Sequence, residues 1–95
     1  QEKISLYFWL KKQGLNAHIS AGTNAKIIKK MCASKSGILL YIHRTNAHYV
    51  AYEVCKDGRI HFYNAIYGKK NHIITASEFL SENSFIPLSS LIYIN

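Results

Sequence analysis

The chain has 95 residues, 48% of them hydrophobic, and its twelve Lys and Arg against five Asp and Glu give a net charge of +7. This composition predicts one folded α+β domain over residues 1–95 rather than a disordered segment. The charge indicates a polyanionic or strongly acidic partner. The sequence holds no apolar run long enough for a membrane-spanning helix, and its N-terminal residues lack the layout of a secretory signal. A disulfide scaffold and a CxxC metal site are not expected from its two cysteines. Its abrupt start resembles the cut edge of a longer parent chain.

The N-terminal segment predicts a helix followed by a link. Residues 2–13 carry a wide apolar stripe at helical spacing. Lys11 and Lys12 suit the last turn of such a helix, and Gly14 stands where a helix-ending residue adopts a positive φ. Residues 15–22 are then expected to form a short extended or irregular link.

A second helix is predicted over residues 25–33, with Thr23 or Asn24 as its N-cap. Its apolar stripe is expected to consist of Ala25, Ile28, Met31 and Cys32. Its three lysines lie away from that stripe, as on a solvated or anion-binding helix face: Lys26, Lys29 and Lys30.

The second half of the chain is predicted to be rich in β-strands. A capping box, Thr75 to Glu78, starts a short third helix. Strands are predicted over residues 37–44, 48–55, 59–65, 72–74 and 89–94. The expected fold is therefore papain-like α+β, with N-terminal helices packed on an antiparallel meander of four or five strands.

Two short hairpin loops allow a prediction of strand register. Pairing Arg44 with His48 and Cys55 with Arg59 places His48 and Asn64 as diagonal neighbours at one end of the sheet. The predicted core face comprises Ile38, Leu40, Ile42, Val50, Tyr52, Val54, Ile60 and Phe62. The predicted solvated face comprises Tyr41, His43, Tyr49, Glu53, Arg59, His61 and Tyr63.

A histidine that opens one strand and an asparagine that ends the next resemble the base and its orienting residue in papain-like hydrolases. The wider pattern resembles the bacteriocin-processing peptidase domains of ABC transporters over most of the chain, from Gln1 to Ile94. The stretches that carry it are His48–Tyr52, Lys56–Arg59, Phe62–Ala65, Gly68 and Thr75–Phe79. The resemblance implies a papain-like fold, with His48 as base and Asn64 as its orienter.

The nucleophilic cysteine of that family has no counterpart in this sequence. The family's cysteine begins the helix that here ends at Gly14, so the equivalent position lies near Gln1. Cys32 and Cys55 are not expected to lie beside His48, and small packing residues are their simplest interpretation. Either the nucleophile has been lost, or it lies just upstream in a longer chain.

The size, basic charge and scarcity of cysteine also resemble the C-terminal toxin domains of bacterial polymorphic toxins, including contact-dependent inhibition systems. That resemblance implies a metal-independent ribonuclease that cleaves tRNA and is blocked by a dedicated immunity protein, here expected to be acidic. The domain would be delivered by the producing cell and act in the cytoplasm of its target. A host translation elongation factor is a possible activator in this class.

Metal-independent RNA cleavage needs a base for the 2′-hydroxyl, an acid for the leaving oxygen and a cation for the phosphorane. His48 is the candidate base or acid, and Arg44 the candidate phosphate ligand. The second acid–base group remains open among His18, His43, His72 and a tyrosine. The candidate RNA contacts are Lys69, Lys70, Lys29, Lys30, Tyr49 and Tyr67.

Three functions follow from the sequence as hypotheses. The first is a tRNA-cleaving toxin domain that uses no cofactor, since the sequence holds no metal-ligand set and no phosphate-cradling glycine motif. The second is a papain-like cysteine peptidase truncated after its nucleophile. The third is a non-catalytic peptidase-like module that binds peptides, for which RNA binding sensitive to salt is not expected.

Overall fold

The chain begins with α1, β1 and α2, continues through four consecutive strands, and ends with a third helix and a last strand. The computed structural model describes residues 2–63, 72–84 and 86–95. Its elements in chain order are α1 Glu2–Lys12, β1 Ala17–Gly22, α2 Asn24–Ala33, β2 Ser36–His43, β3 Asn46–Val54, β4 Ile60–Tyr63, β5 His72–Ile74, α3 Ala76–Glu82 and β6 Ser89–Ile94. The predicted α+β class is confirmed, with three helices and an antiparallel sheet of six strands rather than four or five.

The additional strand is β1, in the segment predicted as a link. The strand order is β1-β6-β2-β3-β4-β5, so the last strand of the chain lies between the first two. Strand β6 pairs with β1 from Ala17↔Ile94 to Gly22↔Ser89 and with β2 along its other side. The pattern of β1 is only weakly alternating, and its partner is distant in sequence, so local periodicity could not reveal this strand.

The helices lie on both faces of the sheet. Helices α2 and α3 cover the face that carries the main core, where the Phe62 and Phe79 rings stack with centroids 5.7 Å apart. Helix α1 lies on the opposite face, where the Lys3 ammonium donates a hydrogen bond to the Ser90 hydroxyl. The fully buried members of the core with the largest side chains include Tyr52, Phe62, Phe79, Ile27, Met31, Leu39, Ile60, Ile86 and Leu91.

The register of the first hairpin differs from the prediction, and that of the second confirms it. His43 pairs with Asn46 through a two-residue turn, so Arg44 is not opposite His48. Because the shift is odd, it exchanges the two faces of β2. Leu39 and Tyr41 therefore enter the core face, and the prediction of Ile38, Leu40 and Ile42 in that face was wrong. In the second hairpin the Cys55 amide donates to the Arg59 carbonyl, as predicted.

The predicted helix boundaries are confirmed by their caps. The Thr23 hydroxyl accepts a hydrogen bond from the Lys26 amide, and Gly14 has the expected positive φ of 84°. At α3, Thr75 and Glu78 form the reciprocal capping box. The stripe predicted for α2 was partly wrong, because Ile27 lies in the core and both Ala25 and Cys32 are exposed.

Tyr52 anchors the centre of the sheet. Its hydroxyl forms a 2.7 Å hydrogen bond with the Ser34 hydroxyl, and burial raises the pKa of Tyr52 to about 12. Gly37 lies opposite Tyr52 in β2, and a Cβ at that position would collide with the Ile92 carbonyl oxygen and the Tyr52 ring. The close approach of these three strands therefore requires a glycine at position 37.

Among the described residues, none of the helices is long and apolar enough to cross a membrane. The longest, α1, leaves Phe8 and Trp9 more than half exposed, so its predicted apolar stripe is only partly covered by the sheet.

The register predicts which of two adjacent leucines supports the fold. Leu39→Ala should lower the free energy of unfolding by about 3 kcal/mol, since the side chain is fully buried and its loss leaves a cavity. Leu40→Ala, on the opposite face and only half-buried, should cost much less. Urea denaturation of both variants measures the difference, and a larger loss at Leu40 would contradict the observed register.

Candidate functional site

Four neighbouring strands bring three polar side chains into one transverse row. Ser89 in β6 pairs with Tyr41 in β2, and Tyr41 pairs with His48 in β3. Gly22 of β1 continues the row beyond Ser89. Directly paired residues share a face of an antiparallel sheet, with their Cβ atoms about 5 Å apart. We call Ser89, Tyr41 and His48 the polar row.

His48 and Tyr41 are in direct ring contact. Their centroids lie 5.2 Å apart with the ring planes inclined by 21°, and His48 is half-buried. The alternation of β3 places His48 on the same face as Val50, which belongs to the core. The buried Tyr41 ring therefore restricts the orientation of the imidazole from one side, a task that the sequence had assigned to Asn64.

Ser89 supplies a hydroxyl at the other end of the polar row. It is 8% exposed, and its Oγ has no hydrogen-bond partner among the described residues. A buried hydroxyl without a partner is costly, and at a functional site it is available to a ligand or a water molecule.

A groove of about 450 Å³ lies beside the polar row. Tyr41 and Ser89 line it together with Gly22, where a Cβ would meet the Lys26 side chain. Its remaining lining residues are mostly apolar: Ala21, Leu40, Ile42, Leu88 and Ser90. Ala21, Leu40, Ile42 and Ser90 lie on the face of the sheet opposite to the polar row, so the groove is mainly apolar and shares only Tyr41 and Ser89 with the row.

The N-terminus of α2 begins two residues after Gly22. The Lys26 side chain passes over Gly22, and Asn24 donates a 2.7 Å hydrogen bond to the Asn83 carbonyl at the end of α3. Both asparagines carry a buried side-chain oxygen that has no partner within the described segments. The free amides at the start of a helix attract anions, so this end of the groove suits a negatively charged group.

Charge is segregated along the chain and across the sheet. Every charged residue from Lys3 to Tyr52 is a Lys or an Arg, so α2 and the β2–β3 turn carry positive charge only, and α1 carries three lysines after Glu2 at its start. Strand β1 lies among these elements, at the edge of the sheet. A field of one sign over such a surface attracts polyanions.

The acidic residues from Glu53 onward lie on the remaining part and are locally engaged. A backbone hydrogen bond from Arg59 lowers the pKa of Asp57, and the Arg59 Nε lies 2.8 Å from its carboxylate. Hydrogen bonds from Thr75 likewise lower the pKa of Glu78. Glu53 accepts from the Tyr63 hydroxyl, which raises the pKa of Tyr63. These carboxylates lie in β3, in the β3–β4 turn and in α3.

The structure separates several of the predicted site residues. Arg44 is exposed in the turn, with a φ of 59°, and Tyr41 rather than Arg44 lies opposite His48. Tyr49 is 44% exposed on the face opposite His48. Lys29 and Lys30 are exposed on α2, and the Lys30 Nζ lies 5.9 Å from the centroid of the Tyr93 ring.

The other predicted site residues lie outside the described segments: Asn64, Tyr67, Lys69 and Lys70. Sequence reasoning missed Tyr41 and Ser89, because the predicted register put Tyr41 on the opposite face and Ser89 comes from the far end of the chain. The correct hairpin register would have identified Tyr41.

Neither cysteine belongs to the polar row. Cys32 lies late in α2 and Cys55 follows β3, and both are free thiols. No cluster of three or more His, Cys, Asp and Glu side chains suited to a metal ion occurs within residues 2–63, 72–84 and 86–95. The described groups thus offer acid–base, hydroxyl and cationic chemistry.

No family model, curated protein or solved structure matches this chain.

The ring contact within the polar row predicts a spectroscopic signature. Tyr41→Leu removes the ring current above the His48 imidazole, so the His48 carbon-bound proton resonances should move downfield. Two-dimensional NMR of the histidine side chains measures the shift. Tyr49→Leu is the matched control, since Tyr49 lies on the other face. Equal shifts in both variants would contradict the stacked geometry.

Proposed function

We propose that this chain is a metal-independent ribonuclease domain, with tRNA as its substrate, whose active site is the polar row. The observation that carries the proposal is the row itself, His48, Tyr41 and Ser89, beside a groove in the lysine-rich half of the chain. An imidazole next to anion-binding groups suits phosphodiester chemistry. The net charge of +7 supports a polyanionic substrate.

The proposed reaction is transesterification within the RNA strand. His48 removes the 2′-hydroxyl proton, and the oxygen attacks the adjacent phosphorus. The bond from phosphorus to the 5′-oxygen breaks, and Tyr41, the phenol of the same row, gives that oxygen a proton. The products are a 2′,3′-cyclic phosphate and a 5′-hydroxyl. Tyr41 also restricts the His48 ring, a positioning role that its stacked geometry supports.

Anionic oxygens of the phosphorane need hydrogen-bond donors and positive charge. The Ser89 hydroxyl, which lacks a partner in the described segments, is the proposed donor, with the N-terminus of α2 and Lys26 close by. Arg44, in the turn between β2 and β3, is proposed as a contact to a flanking phosphate rather than to the reacting one. Lys29 and Lys30 extend the positive surface along α2.

As a toxin domain, the chain would be carried into a competing bacterium and held inactive in the producer by an immunity protein. This part of the proposal rests on its size and charge, and on their resemblance to polymorphic toxin domains.

A papain-like amide hydrolase is the second candidate. Lys3 of α1 contacts Ser90, the neighbour of Ser89 in β6, but Ser90 and α1 lie on the face of the sheet opposite to His48, so the first candidate is preferred. In papain-like enzymes the nucleophilic cysteine begins the corresponding helix. If a longer chain carries a cysteine just before Gln1, iodoacetamide should alkylate it quickly, and His48→Ala should slow that reaction. Unchanged alkylation in the variant would count against this candidate.

Cleavage of tRNA is the direct test of the first candidate. The purified chain, with a bacterial extract supplied as a source of elongation factors, should cleave total tRNA equally well with and without EDTA. His48→Ala should lower the rate by about a hundredfold or more, the usual contribution of a general acid or base. His61→Ala is the matched control, because His61 lies in β4 on the other face, near Glu53.

Gel electrophoresis with end-labelled tRNA measures the rate and identifies the cyclic phosphate end. Full activity of the His48→Ala variant, or loss of activity in EDTA, would sink the proposed chemistry.

The contribution of α2 to RNA binding is separately testable. If Lys29 contacts a phosphate, Lys29→Gln should reduce the slope of log K against log salt by about 0.7, the value for one contact to a single strand. Lys56→Gln is the control, since Lys56 adjoins Asp57 in the β3–β4 turn. Fluorescence anisotropy with labelled RNA at several salt concentrations gives both slopes. Equal slopes for the two variants would exclude Lys29 from the interface.

A further inference from the structure

Strand β1 is an open edge of the sheet. It pairs with β6 on one side only, from Ala17↔Ile94 to Gly22↔Ser89. The Asn95 amide donates to the Asn16 carbonyl, so Asn16 and Asn95 form a hydrogen-bonded pair in this register. Antiparallel pairs alternate between bonded and non-bonded. The backbone groups of Ile19 and Ala21 therefore point away from β6.

These edge groups have no hydrogen-bond partner within the described segments. The Ala17 amide, which points the same way, is satisfied by the Leu15 carbonyl at 2.9 Å. The next groups along the edge are the amide and carbonyl of Ile19, and then those of Ala21. Backbone N–H donors and C=O acceptors thus alternate along the free edge of β1. An additional β-strand needs this pattern to form hydrogen bonds with the edge.

Strand β1 lacks the devices by which proteins usually block an edge. In most proteins an edge strand is very short, carries charged residues or proline, or is covered by another element, and each of these prevents pairing with a second chain. The six residues of β1, Ala-His-Ile-Ser-Ala-Gly, contain no Lys, Arg, Asp, Glu or Pro, and Ala21 is exposed. The other edge strand, β5, has only three residues, and its His72 lies 3.8 Å from the Glu82 carboxylate. The two edges therefore differ in their readiness to pair.

The positive charge around β1 favours an added strand that carries negatively charged side chains. Lys11 and Lys12 end the helix that precedes β1, and Lys26 lies over Gly22 at its far end. No acidic residue occurs between Lys3 and Tyr52. Because a second copy of the chain would bring another cationic edge against this one, self-pairing is disfavoured. RNA fits the edge poorly, since the outward carbonyls repel phosphate.

We infer that the β1 edge binds an extended acidic segment of a partner protein by strand addition. The partner backbone pairs with Ile19 and Ala21, and its carboxylates lie near Lys11, Lys12 and Lys26. This inference does not depend on the proposed ribonuclease chemistry, because backbone pairing at Ile19 and Ala21 involves no residue of the polar row. Ala21, which lines the groove, and Lys26 are common to both proposals.

A blocked peptide of alternating glutamate and valine, labelled with fluorescein, is the probe. It should bind the chain in fluorescence anisotropy. The same peptide with alternate amides N-methylated keeps its charge but cannot donate hydrogen bonds, and should bind about tenfold more weakly for each bond lost. A peptide of alternating lysine and valine should not bind. Equal affinity of the methylated and unmethylated peptides would overturn strand addition and leave charge attraction alone.

Hydrogen exchange followed by NMR locates the bound peptide. Exchange of the Ile19 and Ala21 amide protons should be fast in the free chain and should slow on binding, while the amides of His18 and Ser20, already paired with β6, should change little. Protection confined to another strand would overturn the proposal. The proposal would also be overturned if the free chain self-associates in sedimentation experiments and already protects these amides from exchange. Protection of the same amides by polyuridine, to the extent that the peptide gives, would overturn it too.

Two substitutions of Ala21 in the protein test whether the backbone of β1 binds the peptide. Ala21→Pro removes an outward amide and should weaken peptide binding about tenfold. Ala21→Val keeps the amide and should bind as the parent does. Thermal denaturation verifies that both variants fold, and if Ala21→Pro does not, the methylated peptide still decides. His48→Ala should bind the peptide normally, so failure of the proposed catalysis and failure of this inference are distinguishable.

Discussion

The antiparallel pairing of β2 with β3 through a two-residue turn is the constraint on which the candidate site depends. It requires Arg44 to adopt a left-handed backbone, with a φ of 59°, which is costly for a residue with a Cβ. The register set by this turn places the Leu39 and Tyr41 side chains in the core, and their burial offsets the cost of the left-handed backbone. A change of register by one residue would send both to the other face and separate Tyr41 from His48. Core packing thus holds the turn in its strained conformation.

The insertion of β6 between β1 and β2 is the second determinant. It brings Ser89, from near the C-terminus, beside Tyr41 and so completes the polar row. The same insertion makes β1 an edge strand with Ile19 and Ala21 facing outward. One topological choice therefore produces both the groove proposed for RNA, which Ala21 and Gly22 of β1 help to line, and the edge proposed for a protein partner.

Charge segregation links the two proposals without making them equivalent. The positive field of the N-terminal half attracts any polyanion, whether nucleic acid or acidic protein. Discrimination comes from local geometry: the polar row offers an imidazole and a hydroxyl to a phosphodiester, whereas the β1 edge offers alternating amides and carbonyls to a peptide backbone. An acidic partner bound along β1 would also neutralise the cations that draw RNA toward α2, which is one physical route to inhibition.

The sequence by itself determined the local elements. Helical periodicity, together with the caps at Thr23 and Thr75, predicted the three helices. The strand patterns predicted five of the six strands, and the Lys56–Arg59 turn predicted the register of the second hairpin. These signals act between residues that are close in the chain, so the sequence alone reveals them. Tertiary structure decided the register of the first hairpin, the pairing of β1 with β6 and hence the polar row. His48 was identified from sequence; its neighbours Tyr41 and Ser89 were not. The predicted three-residue loop and the observed two-residue turn give registers of opposite parity, and burial of Leu39 against the helices, together with a partner strand from the other end of the chain, favours the observed one.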